Sequence, residues 1–295
     1  MRYAAIDIGS NAVRLLIADL IENNGSVSFK KNTLIRVPLR LGDDAFLQQH
    51  ISDRKATDLV KTMTAFRNLI DVYKVTDYIA YATSAMREAK NGPDIVHTIK
   101  ETADIDLEII AGQKEAKIIY SNHAEQSIDK SKTYLYIDVG GGSTELSLFS
   151  EGKLLASRSF NIGTIRILDN QDKEETWNEM REFVREHTRQ FKVISGIGTG
   201  GNINKLYRLS EEKNGAPLSF IKLKSLYSYL NSFSLKDRIN VLGINQDRAD
   251  VIIPACEIYI SVMKWANMKN MYVPSVGLVD GIIQILIEKN YQNVD

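Results

Sequence analysis

Two segments of this sequence share one design, in which an apolar run ends in Asp-x-Gly and is followed by small residues. The first segment holds Asp7, Gly9, Ser10 and Asn11, and the second runs over residues 138–145 as Asp-Val-Gly-Gly-Gly-Ser-Thr-Glu. Glycine lets the backbone approach a ligand closely and point several N–H groups at one anion. Carboxylates beside such a turn suit a phosphate held together with a divalent metal ion. The repeated design therefore predicts two phosphate-handling sites.

Three further groups of residues have types and positions that suit phosphate. Arg14 follows the first turn, Ser84 and Arg87 open a short helix, and residues 198–202 form a Gly-Thr-Gly-Gly-Asn turn before another helix. Arginine forks match phosphate oxygens, and helix N-termini attract anions. Each group also has a purely structural interpretation, as a solvated arginine or as a tight connection between elements.

The charge balance limits the partners of this chain of 295 residues. Lys plus Arg and Asp plus Glu are both 37, so the net charge is zero. A general nucleic-acid binder normally carries a basic excess, so we expect no nucleic-acid partner. A polyanionic substrate then requires a local basic cluster, and Lys30, Lys31, Arg36 and Arg40 are the candidates, with a solvated face as the alternative.

Cysteine usage and hydropathy favour a cytoplasmic protein. Cys256 is the single cysteine, has apolar neighbours and is expected to be a buried structural thiol. Met1-Arg2-Tyr3 runs directly into a strand-like segment, and no apolar run approaches the roughly 20 residues of a transmembrane helix. We therefore expect no membrane segment. The sequence leaves the oligomeric state open, with a homodimer as one possibility.

The elements around the two turns exclude two common phosphate-binding folds. In a P-loop or a dinucleotide-binding fold the glycine turn opens a helix. Here each turn is followed by a strand-like run, residues 13–18 after the first and 145–149 after the second. Strand and helix patterns alternate elsewhere, with an amphipathic helix over 52–73, which is typical of an α/β protein.

We predict two domains, 1–127 and 128–295. The polar stretch 127–131 immediately precedes the second Asp-Gly segment, and a closing helix near 282–290 is placed to pack back on the first domain. Strands are predicted at 78–82, 107–110 and 193–197, and a helix is predicted over 113–121. Glu115 in that helix reads in isolation as an ordinary first-turn acid.

Several ordered motifs resemble the exopolyphosphatase/guanosine-pentaphosphate phosphatase (Ppx/GppA) family, within the actin-like ATPase superfamily. The motifs occupy residues 5–11, 82–91, 110–116, 137–146, 161–163, 198–201, 248–252 and 277–281. The string Asp-x-Gly-Gly-Gly-Ser-Thr-Glu is the most specific of them. The resemblance implies an α/β fold of two ribonuclease-H-like domains with the active site in the cleft between them.

The resemblance also implies an activity and a role for each candidate residue. It implies hydrolysis of a terminal phosphoanhydride with Mg²⁺ or another divalent cation, acting on inorganic polyphosphate or guanosine pentaphosphate. By position, Glu115 matches the catalytic glutamate, and Asp138 and Glu145 match metal-site acids. The residues expected to bind phosphate are Asp7, Gly9, Ser10, Asn11, Arg14, Ser84, Arg87, Gly140, Gly141, Gly142, Ser143, Thr199, Gly200 and Gly201.

Departures from the family pattern keep two other functions open. Lys114 stands where many members have a second acid, Val279-Asp280 replaces an Arg-Glu pair, and Asn202 replaces a usual threonine. Loss of half of the acid pair would suit a non-catalytic sensor that closes on a nucleotide or phosphate chain. A phosphotransferase acting on a small acceptor is a third alternative. Longer members continue into extra helical domains, so chain-length preference and processivity stay open.

Overall fold

A computed structural model describes residues 1–23, 26–121, 129, 131–274 and 276–291. The chain divides into two compact units, one formed by Met1–Gln126 with Val276–Asp295 and the other by Ser127–Ser275. The predicted boundary at residues 127 and 128 lies outside the described residues. Mixed α/β architecture with two sheets confirms the predicted fold class, while the interdomain cleft stays a prediction.

The first unit is built on a five-stranded mixed sheet in the order β3-β2-β1-β4-β5. Strands β1, β2 and β3 are antiparallel neighbours, and β4 and β5 continue the sheet parallel to β1. Its elements are β1 (Arg2–Ile8), β2 (Val13–Asn23), β3 (Ser26–Val37), α1 (Leu41–Gln48), α2 (Asp53–Val72), β4 (Asp77–Ala82), α3 (Ser84–Glu88), α4 (Gly92–Ala103), β5 (Leu107–Ile109) and α5 (Gly112–Ser121).

The second unit repeats this strand arrangement in a six-stranded sheet. Strands β8, β7 and β6 are antiparallel, β9 and β11 continue parallel to β6, and β10 adds an antiparallel edge. Its elements are β6 (Thr133–Val139), β7 (Thr144–Ser150), β8 (Lys153–Phe160), α6 (Thr164–Leu168), α7 (Glu174–Thr188), β9 (Ser195–Thr199), α8 (Gly201–Leu209), β10 (Leu218–Ser219), α9 (Phe220–Asn231), α10 (Leu235–Asn240), α11 (Gln246–Ala249), α12 (Ile252–Trp265) and β11 (Asn270–Tyr272).

Helix α13 (Leu278–Tyr291) returns to the first unit after the second has been completed. Its apolar residues, among them Ile282 and Leu286, share a buried core with Ile118 and Ile119 of α5 and with Tyr3 of β1. This packing holds helix α5, which carries Glu115, against the sheet. The separate core of the second unit gathers side chains from β6, β7, α7, α9 and α12.

Most predicted elements are present, with shifted ends. The amphipathic helix buries Leu59, Met63, Phe66 and Ile70 at helical spacing, as the pattern requires. The strand predicted over 193–197 lies instead at Ser195–Thr199, so Gly198 and Thr199 belong to a strand and not to a turn. Successive small residues give little periodic signal, so the sequence pattern places this strand two residues too early. Helices α1 and α6 were not predicted.

Within the described residues, every helix is too short or too polar to cross a membrane.

Candidate phosphate-binding and metal-binding residues

The two glycine turns have the same backbone construction. In the first glycine turn, residues 9–12, the N–H of Gly9 donates to the carbonyl of Ala12 at 3.2 Å. In the second glycine turn, residues 140–143, the N–H of Gly140 donates to the carbonyl of Ser143 at 2.9 Å. Each turn joins two antiparallel strands, whose last register pairs are 8 with 13 and 139 with 144. The predicted strand–turn–strand design is therefore confirmed for both.

The second glycine turn is held from its carbonyl side by helix α6. The N–H groups of Thr164 and Ile165 donate to the carbonyls of Gly140 and Gly141 at 3.1 and 2.8 Å. Nε of Arg166 donates to the carbonyl of Gly142 at 2.6 Å. In contrast, the N–H groups of Gly141 and Gly142 donate to no atom of the described part of the chain. Because its carbonyls are held by helix α6 and these two N–H groups have no acceptor among the described residues, this turn is suited to bind an anion.

Gly163 and Arg166 are functional candidates whose role the sequence did not reveal. Gly163 has an extended backbone, with φ −152°, so its requirement is space and not an unusual conformation. A Cβ at this position would overlap the carbonyl of Gly141. Arg166 is buried although it is charged. The Asn-Ile-Gly motif at 161–163 was the signal for Gly163, but no local pattern links either residue to the turn.

The first glycine turn is supported in a similar way. The N–H of Arg40 donates to the carbonyl of Asn11 at 3.0 Å, and the N–H of Gly42 donates to the carbonyl of Ser10 at 2.9 Å. The hydroxyls of Ser10 and Ser84 lie 2.8 Å apart, and both residues are buried. The segment 40–42 therefore fixes this turn from its carbonyl side, and Ser84 of helix α3 contacts Ser10 of the turn.

Asp7 is a buried carboxylate with an arginine partner. Nη1 of Arg14 lies 2.6 Å from Oδ2 of Asp7, across the register of β1 and β2. Burial raises the pKa of the Asp7 carboxyl, and the Arg14 cation partly offsets that increase. Arg14 therefore lies beside the first glycine turn, where its guanidinium contacts the Asp7 carboxylate, and its role in phosphate binding stays a prediction.

Asp138 and Glu145 lie directly opposite each other on β6 and β7. Each accepts a hydroxyl hydrogen bond, from Thr199 Oγ1 to Asp138 Oδ1 and from Ser159 Oγ to Glu145 Oε1, both at 2.7 Å. Two carboxylates facing each other across a strand pair repel. Carboxylate oxygens are the ligands that Mg²⁺ and Ca²⁺ prefer, so this acid pair could hold a metal ion.

Glu115 lies in the first turn of α5 and is buried. Its neighbour Lys114 contacts the sheet, because Lys114 Nζ is 2.7 Å from Oε1 of Glu108 and 4.6 Å from the centre of the Tyr81 ring. The Lys114 ammonium, which stands where many family members have a second acid, therefore forms an ion pair with Glu108.

A backbone carbonyl at the end of the neighbouring strand β5 orients Arg87. Its Nη1 donates to the carbonyl of Ile110 at 2.6 Å, immediately after β5. Thr83, the residue before helix α3, makes no side-chain capping bond, and its hydroxyl donates instead to the carbonyl of Ile8 at 3.3 Å. The Ile8 carbonyl gives the hydroxyl an acceptor at the end of β1, in place of the helix N–H groups.

The sheet topology explains why distant motifs meet within each unit. Carboxyl ends of adjacent parallel strands lie at one sheet edge, which is where open α/β sheets bind ligands. In the first unit, β1, β4 and β5 lead into the first glycine turn, into helix α3 with Arg87, and into helix α5 with Glu115. In the second unit, β6 and β9 lead into the second glycine turn and into Gly200 and Gly201.

The proposed basic cluster is not a continuous cationic surface. Lys31 Nζ lies 2.6 Å from Oδ1 of the buried Asp280, and Arg40 Nε lies 3.0 Å from Oδ2 of Asp43. Arg36 lies opposite Arg14 in the register of β2 and β3. Of the cluster, Arg36 is therefore the residue that the strand register places beside a predicted phosphate-binding side chain.

The chain is a mixed α/β protein of two units, each of which has an Asp-Gly turn at the carboxyl ends of its parallel strands. A family model described as the Ppx/GppA phosphatase family matches residues 21–290. The chain belongs to this family, and it is an enzyme of the phosphoanhydride-hydrolase type, as predicted.

Individual relatives are similar at low identity. The chain is 28% identical over 274 residues to a bifunctional 3-dehydroquinate synthase/phosphatase of Fusobacterium nucleatum, covering 85% of this chain but 41% of that protein. It is 22% identical to exopolyphosphatase 1 of Mycobacterium tuberculosis, covering 96% of this chain and 87% of that one. The crystal structure of an exopolyphosphatase from Cytophaga hutchinsonii matches with TM-score 0.86 at 23% identity, covering 98% of each chain, and supports the fold.

Proposed function

We propose that this chain is an exopolyphosphatase that releases terminal orthophosphate from inorganic polyphosphate with the help of Mg²⁺. The observation that carries the proposal is the second glycine turn with Asp138 and Glu145 at its base. It combines backbone N–H groups for a phosphate with a carboxylate pair for a cation. The similarity to exopolyphosphatase 1 of Mycobacterium tuberculosis supports polyphosphate as the first candidate.

Glu115 is proposed as the residue that orients and deprotonates the attacking water. A general base needs a carboxylate held in one orientation, and the packing of α5 against α13 supplies a rigid support. Direct attack of water on the terminal phosphorus breaks the P–O bond to the next phosphate, and the proton passes to the glutamate. The shortened chain leaves with its new terminal oxygen.

The remaining residues are proposed to position and neutralise the substrate. A loose phosphoryl-transfer transition state requires alignment and charge stabilisation more than covalent chemistry. Asp138 and Glu145 would hold the cation, which supplies charge neutralisation at the phosphoryl oxygens. The two glycine turns, Arg14 and Arg87 would bind phosphate oxygens with N–H donors.

Guanosine pentaphosphate is the second candidate substrate. It follows from the resemblance to a family that includes guanosine-pentaphosphate phosphatases, and both substrates end in the same phosphoanhydride. A cytoplasmic location, consistent with the buried lone thiol of Cys256, belongs to the same proposal.

The contacts of Lys114 argue against the alternative that this chain is a non-catalytic sensor. That alternative depended on a lysine in place of an acid, and the ammonium lies against Glu108 and Tyr81 on the sheet. Compensation by Glu108 gives the lysine a structural role that does not require loss of catalysis.

Orthophosphate release from both substrates, with Mg²⁺ and with a chelator, tests the proposal. We expect release from polyphosphate that depends on the cation. Tight binding of polyphosphate without any release in the presence of Mg²⁺ would establish the sensor instead. Release from guanosine pentaphosphate alone would move the substrate assignment to the second candidate.

A further inference from the structure

Each acid of the Asp138–Glu145 pair is held by one hydroxyl from a different strand. Thr199, at the end of β9, donates to Oδ1 of Asp138, and Ser159, near the end of β8, donates to Oε1 of Glu145. Both distances are 2.7 Å. The two strands flank the acid-bearing strands β6 and β7, so one donor comes from the strand beside β6 and the other from the strand beside β7.

Thr199 is itself fixed by a second buried group, the hydroxyl of Tyr259. The Tyr259 hydroxyl donates to the carbonyl of Thr199 at 2.6 Å, and the tyrosine is fully buried on α12. The next residue, Gly200, has φ 101°, and a Cβ there would lie 3.1 Å from Oδ1 of Asp138. The Tyr259 hydroxyl therefore fixes the peptide between Thr199 and Gly200. This peptide positions the Thr199 hydroxyl and brings the Gly200 backbone close to the Asp138 carboxylate.

These bonds counteract the repulsion between two carboxylates that the strand register places opposite each other. Two carboxylates directly opposite each other gain from rotating apart. A hydroxyl donor to one oxygen of each carboxylate favours the ionised form and fixes its rotamer. Groups that orient the ligands of a metal in this way change its affinity by roughly 10- to 100-fold.

We propose that Thr199, Ser159 and Tyr259 are positioning residues that set the divalent-cation affinity of the Asp138–Glu145 pair. Thr199 and Ser159 act on the acids directly, and Tyr259 acts through Thr199. This inference rests on the proposed function, and it changes the role of Thr199, which the sequence assigned to phosphate binding.

The test measures Mn²⁺ binding by isothermal titration calorimetry on the full chain without substrate. We expect Thr199→Val and Ser159→Ala each to weaken Mn²⁺ binding by about 10-fold, and Tyr259→Phe by a smaller factor of about 3. Thr199→Ser keeps the donor and should bind within about twofold of wild type. In phosphate-release assays, the Mg²⁺ concentration for half-maximal activity should rise, while kcat at saturating Mg²⁺ changes much less.

Matched controls exist in the same unit. The Ser147 and Ser157 hydroxyls form a similar 2.8 Å bond between β7 and β8, two residues away from the Glu145–Ser159 bond. Tyr207 donates to the carbonyl of Ala216 at 2.7 Å, away from the acid pair. Ser157→Ala and Tyr207→Phe should therefore leave Mn²⁺ affinity unchanged, and thermal unfolding of every variant checks that it folds.

The outcomes separate this inference from the proposed function. If wild type binds Mn²⁺ and releases phosphate, but all three variants bind Mn²⁺ as wild type does, the positioning role is wrong and the hydrolase proposal stands. If Asp138→Asn abolishes Mn²⁺ binding while Thr199→Val and Ser159→Ala both bind Mn²⁺ as wild type does, the acids suffice without their donors, and the inference is again overturned. If wild type neither binds the cation nor releases phosphate, the proposed function fails and takes the inference with it.

Discussion

Nη1 of Arg14 lies 2.6 Å from Oδ2 of Asp7, the residue directly opposite it on the neighbouring strand. In the second unit the residue directly opposite Asp138 is Glu145, so an acid occupies the position that corresponds to Arg14. The same hairpin thus carries an ion pair in one unit and an acid pair in the other. An arginine neutralises the first aspartate within the protein, whereas the second faces another negative charge. This single difference explains why we assign the cation to the second hairpin.

Replacing Arg14 by Gln should destabilise the protein, because Asp7 is buried and loses its partner. Arg14 is itself 28% exposed, so we expect a moderate cost of about 2–3 kcal/mol in the free energy of unfolding. Urea denaturation measures this cost. The double variant Asp7→Asn/Arg14→Gln should recover part of it, and a double variant as unstable as the sum of both single variants would contradict the pairing.

The pH dependence of stability should report the raised pKa of Asp7. An acid whose pKa is higher in the folded state contributes stability that is complete below its unfolded value, 3.8, and is lost as pH rises through the folded value. Relative to Asp7→Asn, wild type should therefore lose unfolding free energy as the pH rises from below 3.8 towards neutrality. Urea denaturation over this range measures the difference, and a difference independent of pH would refute the assignment.

Glu115→Gln should lower turnover without unfolding the protein. Loss of a general base typically costs about 10²- to 10⁴-fold in rate, and the amide keeps the size of the side chain. Orthophosphate release gives kcat, and polyphosphate binding gives the affinity, which should change little. Glu101→Gln, an exposed glutamate on α4, is the control. Turnover like that of wild type in Glu115→Gln would remove Glu115 from the mechanism.

Glu145→Gln should separate stability from cation binding. Removing one of two facing charges should raise the unfolding free energy in a chelator by about 0.2–1 kcal/mol. Because a ligand that binds only the folded state stabilises it, Mg²⁺ should raise the Tm of wild type and much less that of the variant. Equal shifts with Mg²⁺ in both proteins would show that the cation binds elsewhere.

Gly163→Ala should disturb the second glycine turn through steric overlap. A Cβ at this position collides with the Gly141 peptide, so we expect a loss of about 1–3 kcal/mol of stability and reduced phosphate binding. Gly277→Ala is the matched control, because its Cβ would meet nothing within 4 Å. Calorimetric Tm values and polyphosphate titrations distinguish the two variants, and equal behaviour would contradict the packing argument.

Lys114→Met should have a small effect on turnover. Its ion pair with Glu108 is largely exposed, and such pairs contribute about 0–1 kcal/mol. Phosphate release by the variant measures the effect directly. A large gain in turnover would show instead that the lysine suppresses catalysis, as the sensor alternative requires.

The sequence by itself determined the parts of this protein that depend on neighbouring residues. Apolar runs ending in Asp-x-Gly predicted both turns, the strands after them excluded the P-loop and dinucleotide folds, and helical spacing located α2. Ordered motifs indicated the family before any contact was known. Strand ends were less certain where small residues follow one another, as at Gly198 and Thr199, because they give no periodic burial signal.

Only the tertiary structure decided which side chains meet. The register of the strand pairs places Arg14 opposite Asp7 but Glu145 opposite Asp138. Thr199 reaches Asp138 because β9 lies beside β6, although 61 positions separate the two residues. Gly163 and Arg166 likewise reach the second glycine turn through the packing of α6. Such contacts depend on strand order and close packing, which are properties of the whole sheet and leave no trace in a local pattern of residues.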